Sequence, residues 1–383
     1  MFNIKEYFLA FIDCLTFSAL SKNEKSICVY SEGAAYFPYL RNVLEDILKR
    51  FNIPICYVSS NYNDPGLHYK HINLRTFFIG SGHCRNYFFS SLNSYFMIMT
   101  TPDLDKFQLK RSCNNLEYIY IQHSICSTHM IYREDAFDSF DAVCCIGKHQ
   151  MHEIAARETL YKLKSKKLIP MRYFRLDEIM EYKVLEKTRT RNDKSLNFIV
   201  APSWGKNGLI ELGKAFILVK RLIELGHQVI LRPHPQTKRN SQDKIKQILE
   251  TYENNENFIF ISNTQDVKSF YMADYMISDW SGVALEFAFA LKKPIIFCDN
   301  EKKVNNPRYK KLKMEPIEVF TRSKLGCIWD CNSPIEEKIK KVQNFKLDEV
   351  YKLEKKFVFG QEIGSSILLN HIESILKERR IIP

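Results

Sequence analysis

Residues 275–300, YMISDWSGVALEFAFALKKPIIFCDN, carry the most informative chemistry in the chain. A strand-like run ends at Ser278, the polar turn Asp279-Trp280-Ser281-Gly282 follows, and a helical pattern starts at once. Amides at such a helix start lack intrahelical acceptors, and the helix dipole favours an anion there. Ser281 and Gly282 thus offer a hydroxyl, backbone N–H groups and close access for a phosphate. The competing assignment is that Asp279 or Ser281 simply caps the helix.

Two further segments deliver polar residues from strand ends. In residues 229–237, VILRPHPQT, a strand brings Arg232, His234 and Gln236 onto a loop that Pro233 and Pro235 restrain. A guanidinium beside an imidazole suits a diphosphate, because arginine matches phosphate geometry in a bidentate way; a solvated loop is the alternative. In residues 118–128, YIYIQHSICST, a strand presents Gln122 and His123. Histidine is the natural general base near neutral pH, although a lone histidine at a strand end is often structural. Two such histidines, one in each half of the chain, strengthen the chemical reading. His129, His149 and His152 are less well placed and read as surface or helix residues. Ala201-Pro202-Ser203-Trp204 also follows a strand and is positioned to close over a ligand. The basic run 302–324, with Lys302, Lys303, Arg308, Lys310, Lys311, Lys313, Arg322 and Lys324, suits a phosphate-rich donor or acceptor.

These segments need elements to hold them. In the first half, strand-like runs at 26–30, 55–58, 95–99, 116–122 and 142–146 alternate with helical patterns, which argues for an open parallel sheet. From 173 to 195 the pattern fails and charge dominates its end (EKTRTRNDKS), the best candidate for a linker. The second half restarts the rhythm with strands at 197–201, 228–232, 258–262, 275–278 and 294–298, separated by helices at 209–225, 243–252, 267–272 and 283–291. The expected fold is therefore α/β, with two Rossmann-like doubly wound domains facing a cleft in a GT-B arrangement. Residues 1–185 form the acceptor-side domain and residues 195–383 the nucleotide-donor domain, with the last helix, about 363–379, a candidate to cross back.

Bulk composition bounds the rest. A 383-residue chain, 45% hydrophobic and 26% charged, is long enough for two cores and too apolar for extended disorder. The net charge of +12 favours an anionic partner. No recognisable nucleic-acid module or basic-aromatic stripe is present, so nucleic acid is not the expected partner. The eleven cysteines form no paired CxxC spacing and read as neutral thiols in a reducing compartment. No carboxylate cluster calls for a metal, and no cofactor is expected. The N-terminal stretch carries Phe2, Tyr7, Phe8, Phe11, Ile12, Leu15 and Leu20 at helical spacing but no signal-peptide pattern, and no segment is long enough to span a bilayer. Packing of this helix on its own domain is the first reading; contact with an anionic membrane surface is the sharper one. The expected location is cytoplasmic, with a peripheral position on the cytoplasmic face of the inner membrane as its extension.

The order of segments resembles the CDP-glycerol glycerophosphotransferase family of teichoic-acid and capsule synthesis. That family's pattern has a His-Gly loop, an (A/T)P(S/T)(W/F) strand end, an Arg-x-His-Pro loop, and an Asp-Tyr-Ser-Ser turn followed by a helix and KPIIF. Here these read QHS at 122–124, APSW at 201–204, RPHP at 232–235, DWSG at 279–282 and KPIIF at 293–297, over roughly His123 to Cys327. Ser124 replaces the glycine after the first histidine, and Trp280-Ser281-Gly282 replaces Tyr-Ser-Ser. The resemblance implies transfer of a glycerophosphate-type group from a CDP-linked donor to a hydroxyl of a cell-surface glycan or lipid-linked precursor, releasing CMP. His123 and His234 are then the catalytic pair, His123 as general base. Arg232, Pro202, Ser203, Asp279, Ser281, Gly282 and Glu286 bind the donor, without metal. A GT-B glycosyltransferase using a nucleotide sugar in capsule or lipopolysaccharide synthesis is the alternative, and a catalytically inactive nucleotide-binding scaffold is a third reading.

Overall fold

Runs of four or five Ile, Val, Tyr, Phe and Cys residues, buried on both faces, are too short for helices and suited to parallel strands. In this computed structural model, which describes residues 4–182, 195–263 and 265–383, such runs build two sheets. The first holds β1 (Ile27–Ser31), β2 (Ile55–Ser59), β3 (Leu74–Phe78), β4 (Phe96–Met99), β5 (Glu117–Ile121), β6 (Ala142–Cys145) and β7 (Lys167–Pro170). The second holds β8 (Asn197–Val200), β9 (Gln228–Leu231), β10 (Phe258–Phe260), β11 (Tyr275–Ser278), β12 (Ile295–Cys298) and β13 (Gly326–Trp329). Their orders are β3-β2-β1-β4-β5-β6-β7 and β10-β9-β8-β11-β12-β13, parallel throughout. Both sheets thus reverse direction of growth beside their first strand, and loops leaving the carboxyl ends there diverge to leave a crevice. The two-domain α/β architecture expected from the alternating pattern is the one observed.

Three local expectations need correction. β3 (LRTFF), β7 (KLIP) and β13 (GCIW) escaped the strand pattern because they lie at sheet edges, where exposed residues interrupt the apolar run. Part of the stretch assigned to a linker is the helix Phe174–Glu181, whose Leu176 and Ile179 are buried; the charged remainder, residues 183–194, lies outside the described residues. The N-terminal helix Ile4–Ala19 packs through Ala10, Cys14 and Phe17, whereas the larger apolar face turns outward, with Phe8 62% and Leu15 50% exposed. Phe2 lies outside the described residues. All eleven cysteines are free thiols.

The two units share a core rather than merely touching. Ile125, Cys126, Ile146 and Tyr173 from the first unit pack in one apolar cluster with Ala284, Leu285 and Phe287 from the second. The helix Ser366–Glu378 returns to the first sheet, burying Leu368, Ile372 and Leu376 beside Ile27 and Val29. Polar bonds fix the register of this seam. Glu318 in the second unit accepts from the Ser127 amide at 2.9 Å and the Ser127 hydroxyl at 2.6 Å. A buried carboxylate deprived of such a donor pays its desolvation without compensation, so Ser127→Ala should lower unfolding stability by about 1–3 kcal/mol. Denaturant titration of the variant and the parent chain measures this directly.

Candidate active site

The crevice is lined by loops at strand carboxyl ends, and one carboxylate ties three of them together. Asp279, 1% exposed, accepts from the amides of Ser203 at 2.6 Å and Trp280 at 2.7 Å through Oδ1, and from Asn300 Nδ2 at 3.2 Å through Oδ2. Asp279 therefore faces inward and holds the APSW loop against the DWSG turn. Trp280 is also turned inward, donating its indole N–H to the Asn300 carbonyl at 3.0 Å under the Arg322 guanidinium. This leaves Ser281 and Gly282 on the crevice side at the start of the helix Val283–Leu291, which no side chain caps. The capping assignment is thus not what the molecule adopts, and the helix N-terminus is available to an anion.

His234 stands at the end of β9 with its ring 5.8 Å from that of Trp204. Its Nδ1 accepts the Gln236 amide at 3.1 Å. Burial, Lys303 and Arg232 depress its pKa to about 3, so the ring is neutral and carries its proton on Nε2. His234 is consequently a hydrogen-bond donor aimed away from its own loop, in a role that needs no titration. Arg232, 7% exposed, lies 4.7 Å over the Phe270 ring, and burial lowers its pKa to about 10.

His123 follows β5 within a cage of Tyr36, Tyr39, Tyr120 and Tyr132 rings. Its Nδ1 lies 2.9 Å from the Tyr120 hydroxyl. Tyr120 is hydrogen-bonded to Tyr132, whose hydroxyl reaches Gln122 Oε1 at 3.5 Å. In the tautomer whose Nδ1–H donates into this relay, Nε2 keeps its lone pair; in the other, Nδ1 accepts from Tyr120. Burial lowers the His123 pKa to about 4, with the Thr100 backbone acting weakly the other way.

Glu286, in the first turn of Val283–Leu291, links the two halves. Its Oε1 accepts the Tyr173 hydroxyl at 2.6 Å, and the same hydroxyl lies 3.2 Å from the His123 carbonyl. Burial raises the Glu286 pKa while Arg175 and Arg232 oppose that shift. Tyr39, against His123, also lies in the field of Arg232, so the structure brings the QHS, RPHP and DWSG segments to one crevice. Pro202 and Ser203 are buried in its wall.

Two side chains were not singled out by spacing. Lys303, on the loop after β12, places its ammonium 4.3 Å over Trp204, close enough to depress the His234 pKa. Burial lowers its own pKa to about 8, with Asp279, Cys126 and Glu211 opposing. The basic run contained this residue but gave no means of separating it from Lys302 or Lys310. Tyr173, at the edge of a stretch without periodicity, gave no signal at all. His129 is a correction of another kind: it is 4% exposed, with Nδ1 3.3 Å from Glu153 Oε1 and Nε2 3.2 Å from the Met314 carbonyl, so it is a buried structural residue.

The profile of one protein family, CDP-glycerol:poly(glycerophosphate) glycerophosphotransferase, matches residues 82–310. The match begins well before His123 and stops short of Cys327, so the likeness reaches further into the first unit than the motifs alone imply. No curated protein sequence matches the chain. Among solved structures, the wall teichoic acid polymerase TagF is similar at 14% identity and a TM-score of 0.59, over 99% of this chain and 100% of that one. A UDP-GlcNAc 2-epimerase of Methanocaldococcus jannaschii, solved with UDP-GlcNAc and UDP, is similar at 13% identity and a TM-score of 0.57, over 92% and 99%. At these identities the structures report a shared fold.

The cation over Trp204 gives a pH dependence with a defined sign. Lys303 is charged below its depressed pKa and neutral above it, so affinity for a nucleoside diphosphate should fall as pH rises through about 8. Lys303→Arg, which stays charged, should move that loss upward. Calorimetric titration of CDP between pH 6 and 10 reads both, and a flat profile contradicts the assignment.

Proposed function

The chain belongs to the CDP-glycerol:poly(glycerophosphate) glycerophosphotransferase family, and from that premise we propose that it moves a glycerophosphate-type group from CDP-glycerol, or a related CDP-polyol, to a hydroxyl of a cell-surface glycan or its lipid-linked precursor. The observation that carries the reading is the pairing, across one crevice, of a neutral imidazole that can accept a proton with a neutral imidazole that can donate a hydrogen bond.

The acceptor oxygen attacks the phosphorus bearing glycerol, and the bond from that phosphorus to the CMP phosphate oxygen breaks. His123 Nε2 takes the hydroxyl proton while Nδ1–H remains in the tyrosine relay. Burial keeps this ring neutral, and an anionic donor beside it raises its basicity toward the working range. Charge developing on the CMP phosphate is met by His234 Nε2–H, Arg232, Lys303, the Ser281 hydroxyl and the first-turn amides at Gly282, the electrostatic work that dominates phosphoryl transfer. Glu286 acts through Tyr173 and Arg232, and Asp279 with Pro202 and Ser203 shapes the donor wall. On this reading residues 1–185 form the acceptor-side unit and residues 195–383 the donor unit, with the final helix seated on the first. No metal enters the scheme.

The outward face of the N-terminal helix supports a peripheral position at an anionic membrane, where a capsule or teichoic-acid precursor would be met. Ile4, Phe8, Phe11, Ile12 and Leu15 are exposed along one stripe, from 42% to 83%, and the chain has net charge +12. Among the described residues no helix is long and apolar enough to cross a membrane.

Incubation with CDP-glycerol and an acceptor primer should release CMP, and His123→Ala should lower kcat by about a hundredfold or more, the usual range for a general base. The acid limb of kcat/KM should fall near pH 4, where His123 takes a proton. EDTA should leave the rate unchanged. Release of a nucleoside diphosphate from a nucleotide sugar would contradict this chemistry in favour of glycosyl transfer. Sedimentation with vesicles containing anionic lipid should carry the parent chain down and leave Phe8→Glu/Phe11→Glu in solution; equal partition of the two would overturn the membrane assignment.

A further inference from the structure

Gly282 has ordinary right-handed helical dihedrals, φ −61° and ψ −24°, so its backbone does not call for glycine. Space does. A Cβ at this position would lie 3.0 Å from Ser124 Oγ and 3.1 Å from Cys126 Sγ, both on the loop that follows β5 in the other unit. The close approach therefore belongs to the crevice between the units.

That loop is held from behind. The fully buried Gln150 donates Nε2–H to the carbonyls of Ser124 at 2.9 Å and Cys126 at 3.1 Å, and its Oε1 accepts the Ile146 amide at 3.1 Å. His149 Nε2 donates to the Ile125 carbonyl at 2.9 Å. Three successive carbonyls are thus drawn toward the helix Lys148–Tyr161, which leaves side chains, not acceptors, facing the helix start across the crevice. Ser124 Oγ accepts the Cys126 amide at 3.2 Å. One lone pair is thereby engaged, and the hydroxyl proton has Cys126 Sγ as its partner within the loop, a weak acceptor that a phosphate oxygen at the helix start would displace.

We propose that Ser124 is a ligand of the donor phosphate supplied by the first unit, and that residue 282 is glycine so that this hydroxyl can stand at the N-terminus of Val283–Leu291 beside the helix amides. The proposal rests on the glycerophosphotransferase reading for the identity of the anion. The family pattern that this chain resembles has glycine where Ser124 stands and serine where Gly282 stands, and the two positions are in contact here. Against that pattern, the hydroxyl stands on the facing loop instead of on the helix. A consequence follows for binding: the phosphate is held by groups on both units, so donor affinity and the seating of the units against each other are coupled.

Four proteins test this: the parent, Ser124→Gly, Gly282→Ser and the double variant, each checked for an unchanged thermal unfolding midpoint. Ser124→Gly removes a hydrogen bond to a charged oxygen and should lower kcat/KM for CMP release about ten- to a hundredfold. Gly282→Ser should lower it comparably, because its Cβ meets Ser124. The double variant should return to within about threefold of the parent, since the clash is gone and the hydroxyl is restored from the helix side; such non-additivity is the signature of residues in contact. Losses that multiply in the double variant would overturn the proposal. Affinity for CDP, measured by calorimetry on the same four proteins, should follow the same order. A parent chain that bound CDP with this coupled pattern yet released no CMP from CDP-glycerol would refute the proposed reaction and leave the pair intact. A parent that released CMP while the variants behaved additively would do the reverse.

Discussion

The Tyr173 hydroxyl is shared between a carboxylate of one unit and a carbonyl of the other, and the crevice takes its shape from that contact. It donates to Glu286 at 2.6 Å and lies 3.2 Å from the His123 carbonyl. The fully buried tyrosine and the 6%-exposed Glu286 sit in the apolar cluster that spans both units, where a misplaced polar group is costly. The helix that presents Ser281 and Gly282 is therefore fixed relative to the strand end that presents His123. A site divided between two sheets needs such a fixed point, because reacting groups must be placed to within a fraction of an ångström.

Around that point the electrostatics separate the two histidines by what their Nδ1 atoms meet. His234 Nδ1 accepts a backbone amide, so its Nε2 must donate. His123 Nδ1 faces a tyrosine hydroxyl that can accept its hydrogen bond, and in that tautomer its Nε2 can accept. Burial holds both rings neutral, with pKa values near 3 and 4. Each therefore keeps one fixed function, and positive charge in the crevice comes from Arg232 and Lys303 instead. Both cations are themselves depressed by burial, so an anion beside them favours their charged forms.

Much of this was legible in the chain because parallel strands hand their functional residues to the loop immediately after them. RPHP, DWSG and QHS could be read as strand, polar loop, helix, and all lie at the crevice. For Asp279 the sequence could not show which groups its carboxylate accepts from, since a carboxylate in a turn looks the same whether it faces a phosphate or three backbone and amide donors. What could not be read was contact across distance. Tyr173 and Glu286, Ser124 and Gly282, and Lys303 and Trp204 are each pairs from remote segments with no shared periodicity. The N-terminal helix shows a further limit. Its hydrophobic spacing is helical as expected, yet the sheet takes the narrow Ala10–Cys14–Phe17 face and leaves the broad one outside.

Phosphorus NMR of CDP-glycerol mixed with the chain and a poly(glycerophosphate) primer tests the central claim most directly. The account predicts that the diphosphate resonances of the donor decay while a phosphodiester resonance and that of CMP grow in equal amounts, with EDTA present or absent. Persistence of the diphosphate under those conditions, or its conversion to an intact nucleoside diphosphate, would contradict it.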